Sequence, residues 1–449
     1  MHTLQSADAR DSDMIGATQV RGAADVLVIG GGLAGLAAAA LLGRAGRRVT
    51  LFEKAGAVGG NAVTQMRHGY AFNRGPHALY RHGQGMRVLQ ELSVPFHGEK
   101  PSIFPALLYQ RDVRSFWRAG LLNVADALEL SRLFGAIMTL TGETLQRMSL
   151  QAWLDREVHS AGARALLATL ARLVTYVDAP ETQSAGSVIA QMRIALSGNV
   201  LYLDGGWQTL VNGLRDAAAQ AGVSIITSAR VLSIEHDDAV RGVRLADGRR
   251  YSAQAVIAAV DPETASALVD DGADRALSQW ASAATPIEAA CLDVALRRLP
   301  PGGKPYVLGI DQPLYLSMHS TYAELAPKGG ALIHVAKYLR PGERIEPLAV
   351  ERELEALLDQ AQTGWRAELI TQRFMPHIRV SNALVTAASG GMAGRPGCAV
   401  PSVHNLYVAG DWVGPHGLLA DASLASAKQA AERILTTRAQ PHTREKVVS

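Results

Sequence analysis

"DVLVIGGGLAGLAAAALLGRAGRRVTLFEK", residues 25–54, opens with an uncharged, apolar, glycine-rich run over 26–42. Such a run can be a membrane anchor, a secretion signal or a nucleotide site. Length decides first, because a spanning helix needs about 20 mostly apolar residues and this run meets Arg44 with several glycines inside it. A secretion signal needs a basic start and a small-residue cleavage site. The leader, residues 1–22, instead carries Asp8, Asp11 and Asp13 and is expected to be a disordered tail. The third reading accounts for the residues one by one. Residues 26–29 form a short buried strand, Gly30 to Gly35 fit G-x-G-x-x-G, and the alanine-rich stretch to Ala45 is a helix stopped by Gly46. Gly30 permits the turn, Gly32 lets backbone approach a pyrophosphate, and Gly35 lets the helix pack on the strand, with Leu33 and Ala34 in its first turn facing the phosphates. Residues 49–52 are then the second strand. Glu53 at its end, followed by Lys54, sits where an acid grips a ribose hydroxyl.

Two further segments separate the cofactors that such a turn can hold. In "KAGAVGGNAVTQMRHGYAFNRGPHALY", residues 54–80, and "NLYVAGDWVGPHGLLADASLASAKQAA", residues 405–431, the sequence resembles the phytoene desaturase and amine oxidase superfamily of FAD-dependent oxidoreductases. The resemblance implies that Gly59 and Gly60 lie against the FAD phosphates and that Gly75, Pro76, His77 and Ala78 lie near the flavin ring. It also implies that Gly410 and Asp411 hold the ribityl chain and that Leu418 and Leu419 pass the pyrimidine edge. A helix N-terminus there offers backbone donors to negative charge on the ring. Residues 223–262 alternate as short strands around an Asp247-Gly248 turn, and by resemblance the backbone at Val231 meets the adenine. Many relatives carry Arg directly after the second glycine pair. This chain has Asn61, a neutral contact in place of a charge-assisted one, and FAD is still expected to bind non-covalently. Asp421 reads as an N-cap of the closing helix.

Composition bounds the rest. A chain of 449 residues, 48% hydrophobic and 19% charged, can bury large cores. A net charge of +3 with no basic cluster among aromatics argues against nucleic acid. Two cysteines, Cys291 and Cys398, are too few for a disulfide scaffold or a metal site and suit a reducing cytoplasm, although Cys398 is near enough to the closing motif to be checked as a flavin attachment. The expected fold is α/β: a Rossmann-like FAD-binding domain from 23–110, 200–275 and 395–438, interleaved with an α+β substrate domain from 111–199 and 276–394, and a tail at 439–449. Residues 111–194 read as helical, with Leu121, Leu122, Val124, Leu128, Leu133, Ile137 and Leu140 at near-helical spacing. In "ARALLATLARLV" Leu166, Leu167, Leu170, Leu173 and Val174 share one face. Packing of that face on the core is favoured over contact with a bilayer, which leaves peripheral membrane contact as the lesser reading. Residues 280–394 are expected to supply the sheet that faces the flavin.

Flavin chemistry needs few side chains, and no triad or metal cluster stands out. His77 and His416, each beside glycine and proline, are the candidates for a base or positioning group, ahead of His319, His334 and His377. Lys337 is the best placed lysine for holding a water at the flavin, with Lys304 second; a surface role is preferred for both. No aromatic pair for clamping an amine is evident near Trp412. The resulting expectation is an enzyme taking a hydride from a largely apolar small molecule onto FAD, with an electron acceptor the sequence does not name. An amine oxidase is the alternative. A flavin-free, partner-binding protein of the same fold is the remote one, disfavoured by the intact Gly-Asp motif and closing helix.

Overall fold

The computed structural model describes residues 24–102 and 105–437; the expected tails lie outside them. Strand Ala24–Ile29, helix Leu33–Arg44 and strand Val49–Phe52 follow in the predicted order. The helix ends where expected: Gly46 takes φ +80° and its N–H donates to Gly43. These two strands lie in a seven-stranded sheet whose order is Ser224–Ile226, Val49–Phe52, Ala24–Ile29, Arg250–Ala258, Val240–Leu245, Val231–His236, with Leu406–Val408 also on Arg250–Ala258. The last six residues of Arg250–Ala258 pair in parallel with Ala24–Ile29, and its first three pair antiparallel with Val240–Leu245. One long strand thereby joins the parallel part of this sheet to an antiparallel meander whose turn holds Gly248 at φ +85°. Helix Leu33–Arg44 is buried almost all round, with Ala37 to Ala40 fully covered. That explains the apolarity of the opening run, since a helix between a sheet and neighbouring helices has no wet face.

The second seven-stranded sheet has the order Leu369–Ser381, Ile287–Leu296, Ala331–Tyr338, Leu314–Ser317, Tyr306–Gly309, Ala106–Tyr109, Asp112–Ser115. Its strands alternate cleanly. Ala290, Leu292, Val294, Ile333 and Val335 pack with Leu354, Leu357 and Leu358 of helix Pro347–Ala361 on the outer face. Ala289, Cys291, Ala336, Tyr338 and Ile378 face the inner side, against a layer of helices that includes Ala161–Thr175 and Ala185–Gly198.

Residues 111–194 are less helical than the spacing predicts. Asp112–Ser115 is a strand, joined to Ala106–Tyr109 by a two-residue turn in which Gln110 and Arg111 both take positive φ, so the hairpin carries no Asn-Gly signal to betray it. The Gln110 N–H donates to Asp311 across the sheet and fixes that turn. Ala106–Tyr109 therefore pairs in the second sheet, although it lies within the segment 23–110 assigned to the FAD-binding domain. The first helix begins only at Val124, behind an Asn123–Asp126 capping box. Val124 and Leu128 are exposed, while Leu130, Leu133 and Ile137 carry the buried face. In helix Ala161–Thr175, Leu166, Leu167 and Val174 are buried in the core. Among the described residues no helix is long and apolar enough to cross a membrane.

Candidate active site

The first glycine turn is built for close backbone approach. A Cβ at Gly30 would lie 2.4 Å from the Ala259 carbonyl oxygen and one at Gly35 1.9 Å from the Gly30 oxygen, so neither position tolerates a side chain. Gly32 differs: beyond its chain neighbours no protein atom lies within 4 Å of where its Cβ would be, and it occupies the N-cap of Leu33–Arg44 without a side-chain cap. Free N–H groups at the start of a twelve-residue helix, beside a glycine facing open space, fit a diphosphate. Glu53 is buried, and its carboxylate accepts from the N–H groups of Gly31 (2.7 Å) and Ala55 (2.8 Å), which ties the second strand's end to the turn. Lys54 beside it is exposed. The following loop returns to the same place: Ala229 N–H donates to the Glu53 carbonyl, and Val231 opens the next strand.

Gly59 and Gly60 take φ +137° and +56°, and a Cβ on Gly60 would sit 3.3 Å from Gly32 Cα. The Gly59 N–H donates to Gly31. The second glycine pair thus closes over the first turn. Asn61 is exposed and accepts from Arg74, 3.1 Å away, so a cation from the next segment stands beside the neutral residue.

Gly75 takes φ +81°, and a Cβ there would meet Ile378 Cδ1 at 2.6 Å. The Gly75–Ala78 segment consequently presses on the inner face of the second sheet. His77 stands edge-on to Trp207 and its Nδ1 lies 3.1 Å from the Gly75 carbonyl oxygen. Burial lowers its pKa to about 4, so it is neutral at physiological pH. At the opposite end of the site Asn382 donates from both its backbone and side chain to Asp411, whose pKa burial nevertheless raises. Arg395 ties the Asp411 and Gly417 carbonyls together. Leu418 is the N-cap of helix Leu419–Thr436, with no side-chain cap, and Leu419 takes φ +56°. Asp421 is therefore not the N-cap. It lies in the helix's first turn and accepts from Gly85 N–H, at the start of helix Gln84–Glu91. A cavity opens here, lined by Thr175, Ile287, Leu384, Asp411, Leu418 and Leu419.

His416 is exposed just before that helix. His377 is half exposed and paired with Glu288. Lys337 points to the outer face of the second sheet, where its Nζ bonds Glu353 at 2.8 Å, so it does not reach the inner face. The Lys304 backbone is tied to Ala361 at the end of that same outer helix. Cys398 is buried in the core of the first sheet, and both cysteines are free.

The inner face carries groups that no motif announced. Asp293 lies directly opposite His334 on one neighbouring strand and Arg373 on the other. Its Oδ1 is 2.5 Å from His334 Nδ1 and 3.2 Å from Cys291 Sγ, and its Oδ2 is 2.5 Å from Arg373. Arg373 also donates to the Asn73 carbonyl, just before the Gly75 turn. Full burial alone would raise the Asp293 pKa, yet His334 and Arg373 hold it below the usual carboxylate range. The Cys291 thiol is pushed well up by burial and by Asp293, so it stays protonated and donates. Cys291, Asp293 and His334 place ligand atoms within 4.8 Å of one another, but these donors are already engaged with each other and with a guanidinium, an arrangement that repels a cation. Next to them His319 stacks on Tyr202 at 3.8 Å, and Tyr202 reaches Tyr315 and Ser317. Tyr176, Tyr306, Tyr315 and Tyr338 adjoin one another, with centroids 6.0–6.4 Å apart.

The first glycine turn, the glycine pair closing over it and the capless closing helix fit a bound dinucleotide, and comparison with known proteins decides the family. The sequence profile described as flavin containing amine oxidoreductase matches residues 33–435. The chain belongs to this family. Membership places it among the flavin-containing, FAD-dependent oxidoreductases. A 4,4'-diaponeurosporene oxygenase from Staphylococcus haemolyticus is 22% identical over 275 residues, covering 52% of this chain and 54% of that protein, so the chain spans about half the length of that curated relative. Among solved structures, an oxidoreductase from Methanosarcina mazei superposes with a TM-score of 0.75 at 21% identity, covering 91% of this chain and 99% of the other. A putrescine oxidase bound to putrescine gives 0.72 at 15%, covering 92% and 99%. At these identities the two structures share the fold.

Proposed function

We propose that this enzyme dehydrogenates a largely apolar small molecule. When bound, FAD supplies the two-electron acceptor for the substrate's hydride. In this reading Gly30, Gly32, Leu33, Ala34 and Gly35 cradle the pyrophosphate and Glu53 takes the adenosine ribose. Lys54 and Val231 flank the adenine side, and Gly59, Gly60 and Asn61 close over the phosphates. Gly75, Pro76, His77 and Ala78 stand beside the ring, Gly410 and Asp411 hold the ribityl chain, and Leu418 and Leu419 present the helix N-terminus to the pyrimidine edge. His77, neutral and half-buried, orients rather than exchanges protons at physiological pH. The division into an FAD-binding part and a substrate part, with the second sheet as the floor of the substrate site, belongs to the same proposal. So do cytoplasmic location, favoured by two buried free thiols, and any peripheral membrane contact.

The observation carrying the apolar substrate is the inner face of the second sheet. Around the self-paired Arg373–Asp293–His334 row it offers Ala289, Ala336, Ile378 and buried tyrosines, while Lys337, on one of its strands, points to the opposite face. An apolar chain gains about 0.8 kcal/mol per buried methylene on such a surface without needing charged partners. The visible spectrum before and after heat release of cofactor is the first test. Flavin bands with released FAD, bleached anaerobically by a long polyene or other apolar donor, are expected. Bleaching by small amines instead would establish an amine oxidase. A colourless protein that refuses added FAD would overturn the enzyme reading.

A further inference from the structure

Within the buried network on the inner face, two ring nitrogens have no partner: His334 Nε2 and His319 Nδ1. Both side chains are essentially inaccessible to solvent. Most buried polar atoms are satisfied, so two orphaned nitrogens on adjacent rings, with centroids 4.6 Å apart, require a reason. The tautomer of His334 follows from its partner. Asp293 is ionised and can only accept, so Nδ1 carries the proton and Nε2 is a lone pair. Charge balance shows when that lone pair can be filled. Arg373 and Asp293 already cancel, and a proton on His334 would leave one uncompensated buried positive charge. Negative charge developing beside the row would offset it, and hydride transfer to FAD held beside the Gly75–Ala78 segment would supply that charge, because the substrate gives up two electrons with one hydrogen and must release the other as a proton.

We propose that His334, oriented by Asp293, receives at Nε2 the proton the substrate loses as its hydride leaves, beside the ring of His319. The bookkeeping closes: one C–H bond breaks heterolytically with both electrons going to FAD, one further X–H bond breaks with its electrons forming the substrate's new double bond, and the proton bonds to His334 Nε2. Asp293 and Arg373 are positioning residues. Other titratable or charged groups facing His334 are Cys291 on the adjoining strand, His319 on the turn after Ser317, His77 on the flavin-side loop, Tyr202 and Tyr315. His77 and His319 are kept neutral by burial, so neither supplies a competing charge.

The proposal rests on the FAD-dependent reading, and its test needs no substrate. The holoenzyme is reduced photochemically against reference dyes and the midpoint potential of bound FAD is followed above neutral pH. If reduction draws a proton onto His334, the wild-type potential falls about twice as steeply with pH as that of His334→Gln, because two protons rather than one accompany two electrons. Asp293→Asn should show the shallower slope as well. Nitrogen-15 histidine NMR should show the His334 Nε2 signal changing from unprotonated to protonated on reduction. A wild-type slope of one proton per two electrons, or an Nε2 that stays unprotonated, overturns the proposal even if His334→Gln fails to fold. Failure to retain FAD would instead strike at the functional reading beneath it.

Discussion

At the scale of single residues, the cradle separates what holds the fold from what awaits a ligand. Gly32 has φ −76° and ψ −176°, ordinary extended backbone, and open space where a Cβ would go. Gly32→Ala should therefore leave the melting temperature of the cofactor-free protein unchanged or slightly raised, while FAD affinity, followed by flavin fluorescence, falls at least about tenfold as the methyl group blocks the phosphates. Gly35→Ala places its Cβ against the Gly30 oxygen and should cost about 1–3 kcal/mol or more, seen as lost soluble yield. Equal effects of the two substitutions would contradict the assignment of Gly32. Glu53 is a different case because both carboxylate oxygens are taken by backbone N–H groups. In Glu53→Gln one of those N–H groups would face the amide NH2, donor against donor. Losing one charge-assisted bond costs about 1.5–3 kcal/mol, and FAD dissociation should accelerate by roughly tenfold to a hundredfold. Unaltered FAD retention would remove Glu53 from the site.

At the scale of elements, Asp421 shows how two helices are joined. Its Oδ1 caps the start of Gln84–Glu91 through Gly85, and its Oδ2 is buried without a partner. A Cβ on Gly83 would lie 1.8 Å from Oδ2, so the junction relies on glycine for closeness. Burial raises the Asp421 pKa from 3.8 to about 6, and the folded state consequently binds its proton more tightly than the unfolded state. By linkage this group's contribution to stability is greatest at low pH and is lost as pH rises from about 4 through about 6, a span of two units or about 3 kcal/mol. Asp421→Asn keeps an acceptor for Gly85 and removes the buried charge. In urea unfolding of the cofactor-free protein it should be about 2–3 kcal/mol more stable than wild type at pH 7, with the difference vanishing near pH 4. A gain of the same size at both pH values would mean that the charge is not the cause.

At the scale of the whole molecule, legibility tracks sequence distance. The strand, turn, helix and acid of residues 25–54 are contiguous, and Gly30 and Gly35 have steric reasons to be glycine, so the first sheet could be read directly. The row Arg373–Asp293–His334 spans three strands and 80 residues, and Asn382 reaches Asp411 across 29; no local pattern ties such pairs together. A fainter signal existed. A lone polar residue within a buried alternating strand, Asp293 after Cys291-Leu292 or His334 between Ile333 and Val335, must find its partner inside, and three such strands in one sheet point their exceptions at one another. The same alternation gives Lys337 the supporting role preferred for it over a water-holding one. Three residues from His334, it falls on the opposite face and bonds Glu353 on the outer helix. A partly exposed pair of this kind contributes about 0–1 kcal/mol. Lys337→Met should thus lower stability by no more than about 1 kcal/mol and leave the rate of anaerobic flavin bleaching by any active substrate unchanged, whereas Tyr338→Ala, one residue on and facing inward, should slow it. A slowed bleaching rate in Lys337→Met, with folding intact, would mean that the outer face communicates with the flavin and that the division of this sheet into a supporting face and a reacting face is mistaken.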